Sequence, residues 1–322
     1  MKQTKVILCR GGDYYPDAEL VQQLADAFPN VDFVDTRKEQ LDEQLDMHQD
    51  AEVFLGWPTR EQLEGLPNLK WVQLQSAGAN GYTNNPYLRD DVALTNASGV
   101  FDVPGAEHSL ALMLAFTRQL PVYFDQQQRK VWKSNPGCLE IQSSTVGVIG
   151  LGGIGGETAK RAKALGARVV AVKRNPANKP TYIDQLYPID EVDTLLAESD
   201  FVVMALPLTG DTQGFLNAGR IAKMKKGAVL INVGRGPTVD EGALIQALQS
   251  GALLGAGLDV TEVEPLPADN PLWEMSNVII TSHSLGVSPR KEERRVELLT
   301  ANLKRFLAGE PLLNLVDRNA GY

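Results

Sequence analysis

Short runs of apolar, often β-branched residues alternate along the chain with segments whose apolar positions recur at helical spacing. In the first hundred residues, strands are predicted at KVILCR, VDFV, AEVFLG, KWVQLQ and VALTN, and an amphipathic helix is predicted at PDAELVQQLADAF. Strands that alternate with helices are typical of α/β proteins with a mostly parallel sheet. The first part of the chain therefore predicts one such sheet.

A second series of the same kind starts near residue 100. A helix predicted at VPGAEHSLALMLAFTRQ is followed by strands predicted at TVGVIG, ARVVAV, DFVVMA, AVLINV, LLGAGLDV and NVIITS. Helical segments lie between most of these strands, so the series can close a doubly wound sheet of its own. The last segment, PRKEERRVELLTANLKRFLAGE, predicts an amphipathic helix with a glycine at its end.

The composition is that of an ordinary globular protein, since 322 residues with 43% hydrophobic composition are enough for two domains. A net charge of -9 argues against nucleic acid or an anionic membrane as partner. The two cysteines, Cys9 and Cys138, lack metal-ligand spacing, so we expect neither a disulfide framework nor a metal site. No targeting signal or membrane span is predicted, and we expect a cytoplasmic protein.

A glycine-rich turn is the strongest local motif. In STVGVIGLGGIGGETAKRAKALGARVVAV, Gly150, Gly152 and Gly155 form G-x-G-x-x-G between a predicted strand and an alanine-rich helix. Such glycines permit a tight turn, close approach of a pyrophosphate and helix-to-strand packing, and the helix N-terminus offers amide donors. We predict that this turn, including Gly153 and Ile154, binds a dinucleotide; a purely structural α/β turn is the alternative.

The strand that follows this helix ends in two cations instead of an acid. An acidic residue about 20 residues after the glycine motif normally holds the ribose 2′-hydroxyl of NAD. Here Lys173 lies 18 residues after Gly155, and Arg174 comes next. Because cations attract a 2′-phosphate that a carboxylate would repel, we predict that NADPH is preferred over NADH. The alternative is that both side chains only meet solvent.

Three further segments carry a family resemblance. KKGAVLINVGRGPTVDEGALIQAL, GAGLDVTEVEPLPADNPLWEMSNVIITSH and ALPLTGDTQGFLN resemble, in order and spacing, the D-isomer-specific 2-hydroxyacid dehydrogenase family, and the likeness runs over the whole chain. The resemblance implies a Rossmann-type doubly wound parallel sheet domain, residues 100–287, inserted into a flavodoxin-like substrate domain, residues 1–99 plus 288–322. It implies an active site in the cleft and an NADP-dependent reductase of small 2-oxo acids such as glyoxylate or hydroxypyruvate.

The resemblance also assigns catalytic roles to Arg235 in NVGRG, Glu264 in EVEPLP and His283 in TSHS. Reduction of a 2-oxo acid needs a proton for the carbonyl oxygen, and an imidazolium suits that task near neutral pH. A neighbouring carboxylate stabilises the imidazolium, and a guanidinium fork suits the substrate carboxylate. On residue chemistry alone, Glu262 is an alternative to Glu264. Ser282 stands where the family often has proline.

Further contacts follow from the resemblance alone. Cofactor contacts fall on Leu206, Pro207, Thr212, Val233 and Asp259, and substrate contacts fall on Trp57, Ala77, Gly78 and Ala79. The amides of the last three residues are expected to bind a carboxylate. A plain loop is the alternative for these residues, and packing is the alternative for Trp57. For His108, in the helix at the domain crossing, we expect a packing or interface role.

Relatives make a two-fold interface with this helix, Val103 to Arg118, so we expect a homodimer. Two alternative functions stay open at this point. One is a reductase of bulkier 2-ketoacids, and the other is a non-enzymatic, dinucleotide-sensing regulatory protein of the same fold. A phosphoglycerate dehydrogenase is less favoured, because no added regulatory domain follows the last helix.

Overall fold

The computed structural model describes residues 3–11 and 18–321, in which two compact units can be distinguished. Met1–Val100 and Ser288–Tyr322 form one unit, called the split unit below, and Phe101–Val287 form the central unit. The first two residues of the predicted helix PDAELVQQLADAF lie outside the described residues, and the helix is described from Ala18 onward. Substrate binding by the first unit and dinucleotide binding by the second stay predictions at this stage.

The split unit is built on a five-stranded sheet in the order β2-β1-β3-β4-β5, with all neighbouring strands parallel. This is the strand order of flavodoxin-like folds, as the resemblance implied. The strands are β1 (Thr4–Arg10), β2 (Val31–Arg37), β3 (Val53–Leu55), β4 (Trp71–Gln73) and β5 (Ala93–Thr95). The helices are α1 (Ala18–Ala27), α2 (Lys38–Gln44), α3 (Arg60–Gly65) and α10 (Lys291–Ala308).

Helices cover both faces of this sheet, which is why its strands are apolar at successive positions. In β1, Val6 and Leu8 pack in one cluster with residues of α1 and α10. Ile7 lies between them in the chain and packs in a second cluster, with residues of α2 and α3. The alternation of side chains along a strand thus sends consecutive apolar residues of β1 into two separate cores.

The central unit contains a seven-stranded parallel sheet in the order β12-β11-β10-β9-β6-β7-β8. Its strands are β6 (Thr145–Ile149), β7 (Arg168–Lys173), β8 (Gln185–Pro188), β9 (Phe201–Met204), β10 (Val229–Asn232), β11 (Gly255–Leu258) and β12 (Val278–Ile280). Its helices are α4 (Asp102–Thr117), α5 (Leu120–Gln128), α6 (Gly153–Ala164), α7 (Val192–Glu198), α8 (Ala218–Ile221) and α9 (Glu241–Gln249). The strand order reverses direction between β6 and β9, as in Rossmann-type folds. The predicted α/β fold class is confirmed.

Two details of the central unit differ from the sequence prediction. The helix predicted to run to Gln119 ends at Thr117, and α5 starts at Leu120 after a left-handed Gln119 with φ of 54°. Pro121 explains the break, because proline has no N–H for a continuing helix and its ring clashes with the carbonyl four residues earlier. The strand β8 was not predicted, since this edge strand of four residues shows too short a pattern.

Candidate active site

The glycine-rich turn lies at the point where the strand order of the central sheet reverses. Gly150, which follows β6, has a φ of +97°, and a Cβ built there would lie 2.7 Å from the carbonyl oxygen of Ala205, which follows β9. A Cβ on Gly155 would collide with the carbonyl oxygen of Gly150, so α6 packs closer to β6 than any other residue allows. Open space surrounds the corresponding position of Gly152. This crevice and the exposed start of α6 fit the pyrophosphate of a dinucleotide.

The other predicted cofactor contacts follow strands that end at the same edge of the sheet. Leu206 and Pro207 come after β9, Val233 comes after β10, and Asp259 comes after β11. The hydroxyl of Thr212 donates to the Pro207 carbonyl at 2.6 Å and accepts from the Thr209 amide at 2.7 Å. Thr212 therefore stabilises the loop after β9 through hydrogen bonds within that loop.

Lys173 is the last residue of the strand β7, which pairs with β6, and Arg174 follows it. Both side chains are exposed. The Arg174 Nη2 donates to Asp211 Oδ2 at 3.4 Å, a contact between exposed groups that solvent weakens. The position that normally carries the ribose-binding acid thus presents two cations at the carboxyl edge of the sheet.

His283 and Glu264 are in direct contact. His283 Nδ1 lies 2.7 Å from Glu264 Oε2, and the Thr261 amide donates to Glu264 Oε1 at 3.2 Å. Because an ionised carboxylate only accepts hydrogen bonds, Nδ1 carries the proton, and Nε2 is left for a ligand. Glu262 is turned elsewhere: its amide donates to Glu241 Oε2 and its side chain is exposed. Of the two glutamates in this loop, Glu264 is the one that meets the imidazole.

The loop that carries His283 is wrapped around the buried carboxylate of Asp259. The amides of Ser284 and Leu285 donate to its two oxygens at 2.9 and 3.2 Å, and the Thr281 hydroxyl donates to Oδ1 at 2.6 Å. The His283 amide donates to the Asp259 carbonyl at 2.8 Å. These bonds hold His283 at a φ of 50°, a left-handed backbone that a non-glycine residue adopts only when its surroundings impose it.

His108 of α4 also belongs to this hydrogen-bond network. Its Nε2 lies 2.9 Å from Thr281 Oγ1 and 3.6 Å from Asp259 Oδ1. Since the single hydroxyl proton of Thr281 is donated to Asp259, its oxygen accepts from His108, which assigns the proton to Nε2. His108, Thr281 and Asp259 therefore form a directed chain of hydrogen bonds that ends at the His283 loop.

Arg235 follows β10 between two glycines. A Cβ on Gly236 would collide with the Thr261 carbonyl oxygen, so this glycine lets the Arg235 loop pass directly under the loop of Glu264. The guanidinium donates from Nη1 to the Gly234 carbonyl at 2.8 Å. Burial lowers the pKa of Arg235 below its ordinary value, and the charge of Glu264 offsets part of that effect. The guanidinium stays cationic, as arginine does throughout the neutral range.

A cavity of about 670 Å³ opens beside His283 and Glu264 within the central unit. Its polar wall includes Glu264, His283 and Asp259. Leu266, Trp273 and Ile280 line it as well.

Among the residues that the structure describes, no group of three or more His, Cys, Asp or Glu side chains is arranged to hold a metal ion. The same part of the chain contains no helix with the length and apolarity needed to span a bilayer.

The predicted substrate residues belong to the split unit. Trp57 is partly buried, and its indole N–H donates to Ser76 Oγ at 3.3 Å. Ser76 Oγ in turn donates to the Gly78 carbonyl at 2.7 Å. Trp57 thus packs against the core and also supports the loop of Ala77, Gly78 and Ala79, and its contact with substrate stays a prediction.

Every carbonyl from Ser76 to Ala79 accepts a hydrogen bond within the split unit. The Ala77 carbonyl accepts from Asn96 Nδ2 at 2.9 Å, and the Ala79 carbonyl accepts from the Tyr82 amide at 3.0 Å. Burial raises the pKa of Tyr82 to about 12, so its hydroxyl stays a donor, to Pro58. Within residues 3–11 and 18–321, the amides of Ala77, Gly78 and Ala79 donate to no other group. Ala77 and Gly78 are partly exposed, whereas Ala79 is buried.

Two members of the His283 network were not among the predicted site residues. Thr281 was overlooked, and His108 was expected to pack or to lie in an interface. Neither residue has a local signal, because His108 and Thr281 are 173 positions apart and meet only through folding. Asp259 was predicted to contact the cofactor, and the structure shows its carboxylate bound to the His283 loop.

Several known proteins are similar to this chain. The model of the family "D-isomer specific 2-hydroxyacid dehydrogenase, NAD binding domain" matches residues 110–284. The chain is 33% identical over 278 residues to a glyoxylate reductase of Korarchaeum cryptofilum, over 84% of this chain and 80% of the relative.

Two solved structures are similar over 100% of both chains. One is a D-isomer specific 2-hydroxyacid dehydrogenase of Xanthobacter autotrophicus Py2 in complex with NADPH and MES, with a TM-score of 0.88 and 32% identity. The other is an NADPH-dependent glyoxylate/hydroxypyruvate reductase of Sinorhizobium meliloti in complex with NADP and sulfate, with a TM-score of 0.84 and 28% identity. This chain belongs to the D-isomer specific 2-hydroxyacid dehydrogenases, a family of oxidoreductases that use a nicotinamide dinucleotide.

Proposed function

We propose that the protein reduces small 2-oxo acids, of the glyoxylate and hydroxypyruvate class, to D-2-hydroxy acids and prefers NADPH as reductant. The observation that carries the proposal is the 2.7 Å contact between His283 and Glu264, at the edge of the sheet that also bears the glycine-rich turn. A proton donor and a dinucleotide crevice are the two parts that this reduction needs. The reductases among the similar proteins support the substrate class.

When bound, a nicotinamide dinucleotide supplies the hydride for C2 of the oxo acid. His283 supplies the proton: Glu264 holds Nδ1–H, and the imidazolium presents Nε2–H to the carbonyl oxygen. After proton transfer, Glu264 keeps the neutral ring in one tautomer. The side chain of His283 is 45% exposed, so water can return the proton. Arg235 binds the substrate carboxylate and polarises the carbonyl with its planar set of donors.

The proposal also assigns contacts with the substrate carboxylate to the amides of Ala77, Gly78 and Ala79, and contact with the substrate to Trp57. The assignment is supported because these three amides have no acceptor among the described residues. Backbone donors of this kind contact only the carboxylate and discriminate little between substrates with different side chains. They therefore suit a site for several small 2-oxo acids. A small residue is needed at each of the three positions so that the carboxylate can approach the backbone.

The cofactor site consists, in this proposal, of the turn Gly150–Gly155 for the pyrophosphate and of Lys173 and Arg174 for the 2′-phosphate. Leu206, Pro207, Thr212 and Val233 form the rim. The exposure of both cations at the end of β7 supports a phosphate site, because exposed side chains can reach a bound ligand. The 2′-phosphate replaces Asp211 as the partner of Arg174, because the charge of the phosphate is larger.

A homodimer is part of the proposal, and exposed apolar residues on and after α4 support it. Leu114, Leu120 and Phe124 are 40%, 37% and 59% exposed, and Trp132 is fully exposed. Several large apolar side chains exposed in one stretch of chain favour an interaction site. A reducing cytoplasm is also part of the proposal, supported by the two free thiols, Cys9 and Cys138.

A steady-state screen tests the proposed function. Glyoxylate, hydroxypyruvate, pyruvate and 2-oxo acids with longer side chains are offered with NADPH and, separately, with NADH. We expect the highest kcat/KM for the small acids with NADPH. A rate that rises with side-chain size points to a reductase of bulkier 2-ketoacids. Tight dinucleotide binding without turnover of any acid points to a regulatory protein.

A further inference from the structure

Arg295, on α10 near the far end of the chain, is a buried arginine attached to the predicted substrate loop. Its side chain is 2% exposed. The Nε and Nη2 groups both donate to the carbonyl of Gln75, at 3.1 and 2.8 Å, and Nη1 donates to Glu292 Oε1 at 2.8 Å. Burying a guanidinium is costly unless its donors are satisfied. Here two of them are used on one backbone carbonyl 220 residues away in sequence.

The carbonyl of Gln75 is the first of a continuous series. The Ser76 carbonyl accepts from the Ala97 amide at 2.9 Å, and the carbonyls of Ala77, Gly78 and Ala79 are bound as described above. In a trans peptide unit, the C=O of one residue and the N–H of the next point in opposite directions. Each bound carbonyl therefore also fixes the direction of the amide that follows it. Arg295 sets the first peptide plane of the loop.

We propose that Arg295 is a positioning residue for carboxylate binding: by holding the Gln75 carbonyl, it fixes the direction in which the loop Ser76–Ala79 presents its amides. The inference rests on the proposed function, in which these amides bind the carboxylate of the 2-oxo acid. Arginine suits this task better than lysine, because its rigid fork binds Gln75 and Glu292 at the same time. The residue acts through the loop and does not itself touch substrate.

Arg295→Met is the main variant, because methionine keeps the apolar stem and removes every donor. Two readouts are measured with the full chain and saturating NADPH. The first is the Kd of oxalate, a non-reducible mimic of a 2-oxo acid, by titration calorimetry. The second is the pair KM and kcat for glyoxylate. Arg290→Met is the matched control, because Arg290 lies at the start of the same helix and its side chain pairs with Glu293.

We expect Arg295→Met to raise the oxalate Kd and the glyoxylate KM together by roughly 10- to 100-fold. The kcat should stay within about threefold, since the variant removes binding and not proton transfer. Arg295→Lys should recover part of the affinity, because an ammonium can still donate to the Gln75 carbonyl. Arg290→Met should behave like the unmodified protein. A merely structural role would lower the unfolding midpoint and leave the Kd of the folded protein unchanged.

Unchanged oxalate affinity in folded Arg295→Met would overturn the inference and leave the proposed function intact. An unmodified protein that binds oxalate but reduces no 2-oxo acid would refute the proposed function, and the inference would then be decided by the oxalate Kd of the variants. Absence of oxalate binding in the unmodified protein would overturn the inference. If Arg295→Met does not fold, Arg295→Lys and Ser76→Ala are measured in its place, and unaltered affinity in both would count against it.

Discussion

Nδ1 of His283 lies 2.7 Å from Oε2 of Glu264, so the carboxylate determines which ring nitrogen is left for chemistry. The two residues come from the loops after β12 and β11, which are neighbouring parallel strands. The pair is therefore fixed by the sheet and not by either loop alone. An imidazole oriented in this way can donate a proton from Nε2 in every cycle without a flip of the ring.

Removal of the imidazole should abolish most of the activity. We expect His283→Ala to lower kcat by roughly 10² to 10⁴, the usual contribution of a positioned acid, while the Kd of NADPH changes little. Stopped-flow or steady-state kinetics and fluorescence titration measure the two quantities. His48→Ala serves as the control, since His48 belongs to the split unit outside the proposed site. Near-normal turnover of His283→Ala would exclude this residue as the proton donor.

Arg235 should not be replaceable by lysine. Arg235→Lys keeps a positive charge but loses the planar fork, and loss of a charge-assisted hydrogen bond corresponds to roughly a 10- to 100-fold fall in kcat/KM. Arg168→Lys is the matched control, because Arg168 begins β7 at the opposite edge of the sheet, where it pairs with Glu198. Equal kcat/KM in Arg235→Lys and the unmodified protein would contradict the proposed role.

The hydroxyl of Thr281 should matter for both stability and rate. Thr281→Val keeps the shape of the side chain but leaves the buried Asp259 carboxylate and His108 without their shared partner, which costs about 1–3 kcal/mol of the free energy of unfolding. We also expect a lower kcat, because the backbone of the His283 loop is less firmly held. Denaturant titration and steady-state kinetics measure both effects, and Thr281→Ser, which keeps the hydroxyl, should stay near the unmodified values. A valine variant with unchanged stability and kcat would show that this network is dispensable.

Arg174 should determine much of the cofactor preference. We expect NADPH to be favoured over NADH by about a hundredfold or more in kcat/KM, because each charge-assisted bond to the 2′-phosphate contributes roughly 1.5–3 kcal/mol. Arg174→Asp should weaken NADPH binding much more than NADH binding. The measurement is kcat/KM and Kd for both cofactors, with Arg168→Asp as a control cation on the same strand. Comparable kcat/KM for NADPH and NADH in the unmodified protein would contradict the proposed phosphate site.

The chain of 35.1 kDa should sediment as a dimer at micromolar concentration. Leu114→Glu places a charge on the exposed apolar side of α4 and should shift the protein toward the monomer. Leu165→Glu is the control, because Leu165 is similarly exposed but follows α6. Analytical ultracentrifugation distinguishes the two masses. A monomeric unmodified protein would rule out the proposed interface.

The elements of both sheets could be predicted from local pattern, because strands covered by helices on both faces are apolar over their whole length. The twelve strands of the described chain include only one, β8, that the pattern did not predict, and this strand lies at a sheet edge. The glycine-rich turn was equally visible, since the requirements at Gly150 and Gly155 are set by the backbone within a few residues. The predicted proton donor, His283, and the carboxylate predicted to hold it, Glu264, were identified from motif resemblance and not from spacing.

Contacts between distant segments were decided only when the sheets formed. The choice of Glu264 over Glu262 depends on which carboxylate the strand order brings to His283. The link from His108 to Thr281 and the link from Arg295 to Gln75 have no local signal, because a single histidine or arginine in a helix is compatible with many partners. Periodicity reports which face of an element is buried, whereas hydrogen-bond partners depend on the positions of atoms that only the packed sheets and helices bring within 3 Å of one another.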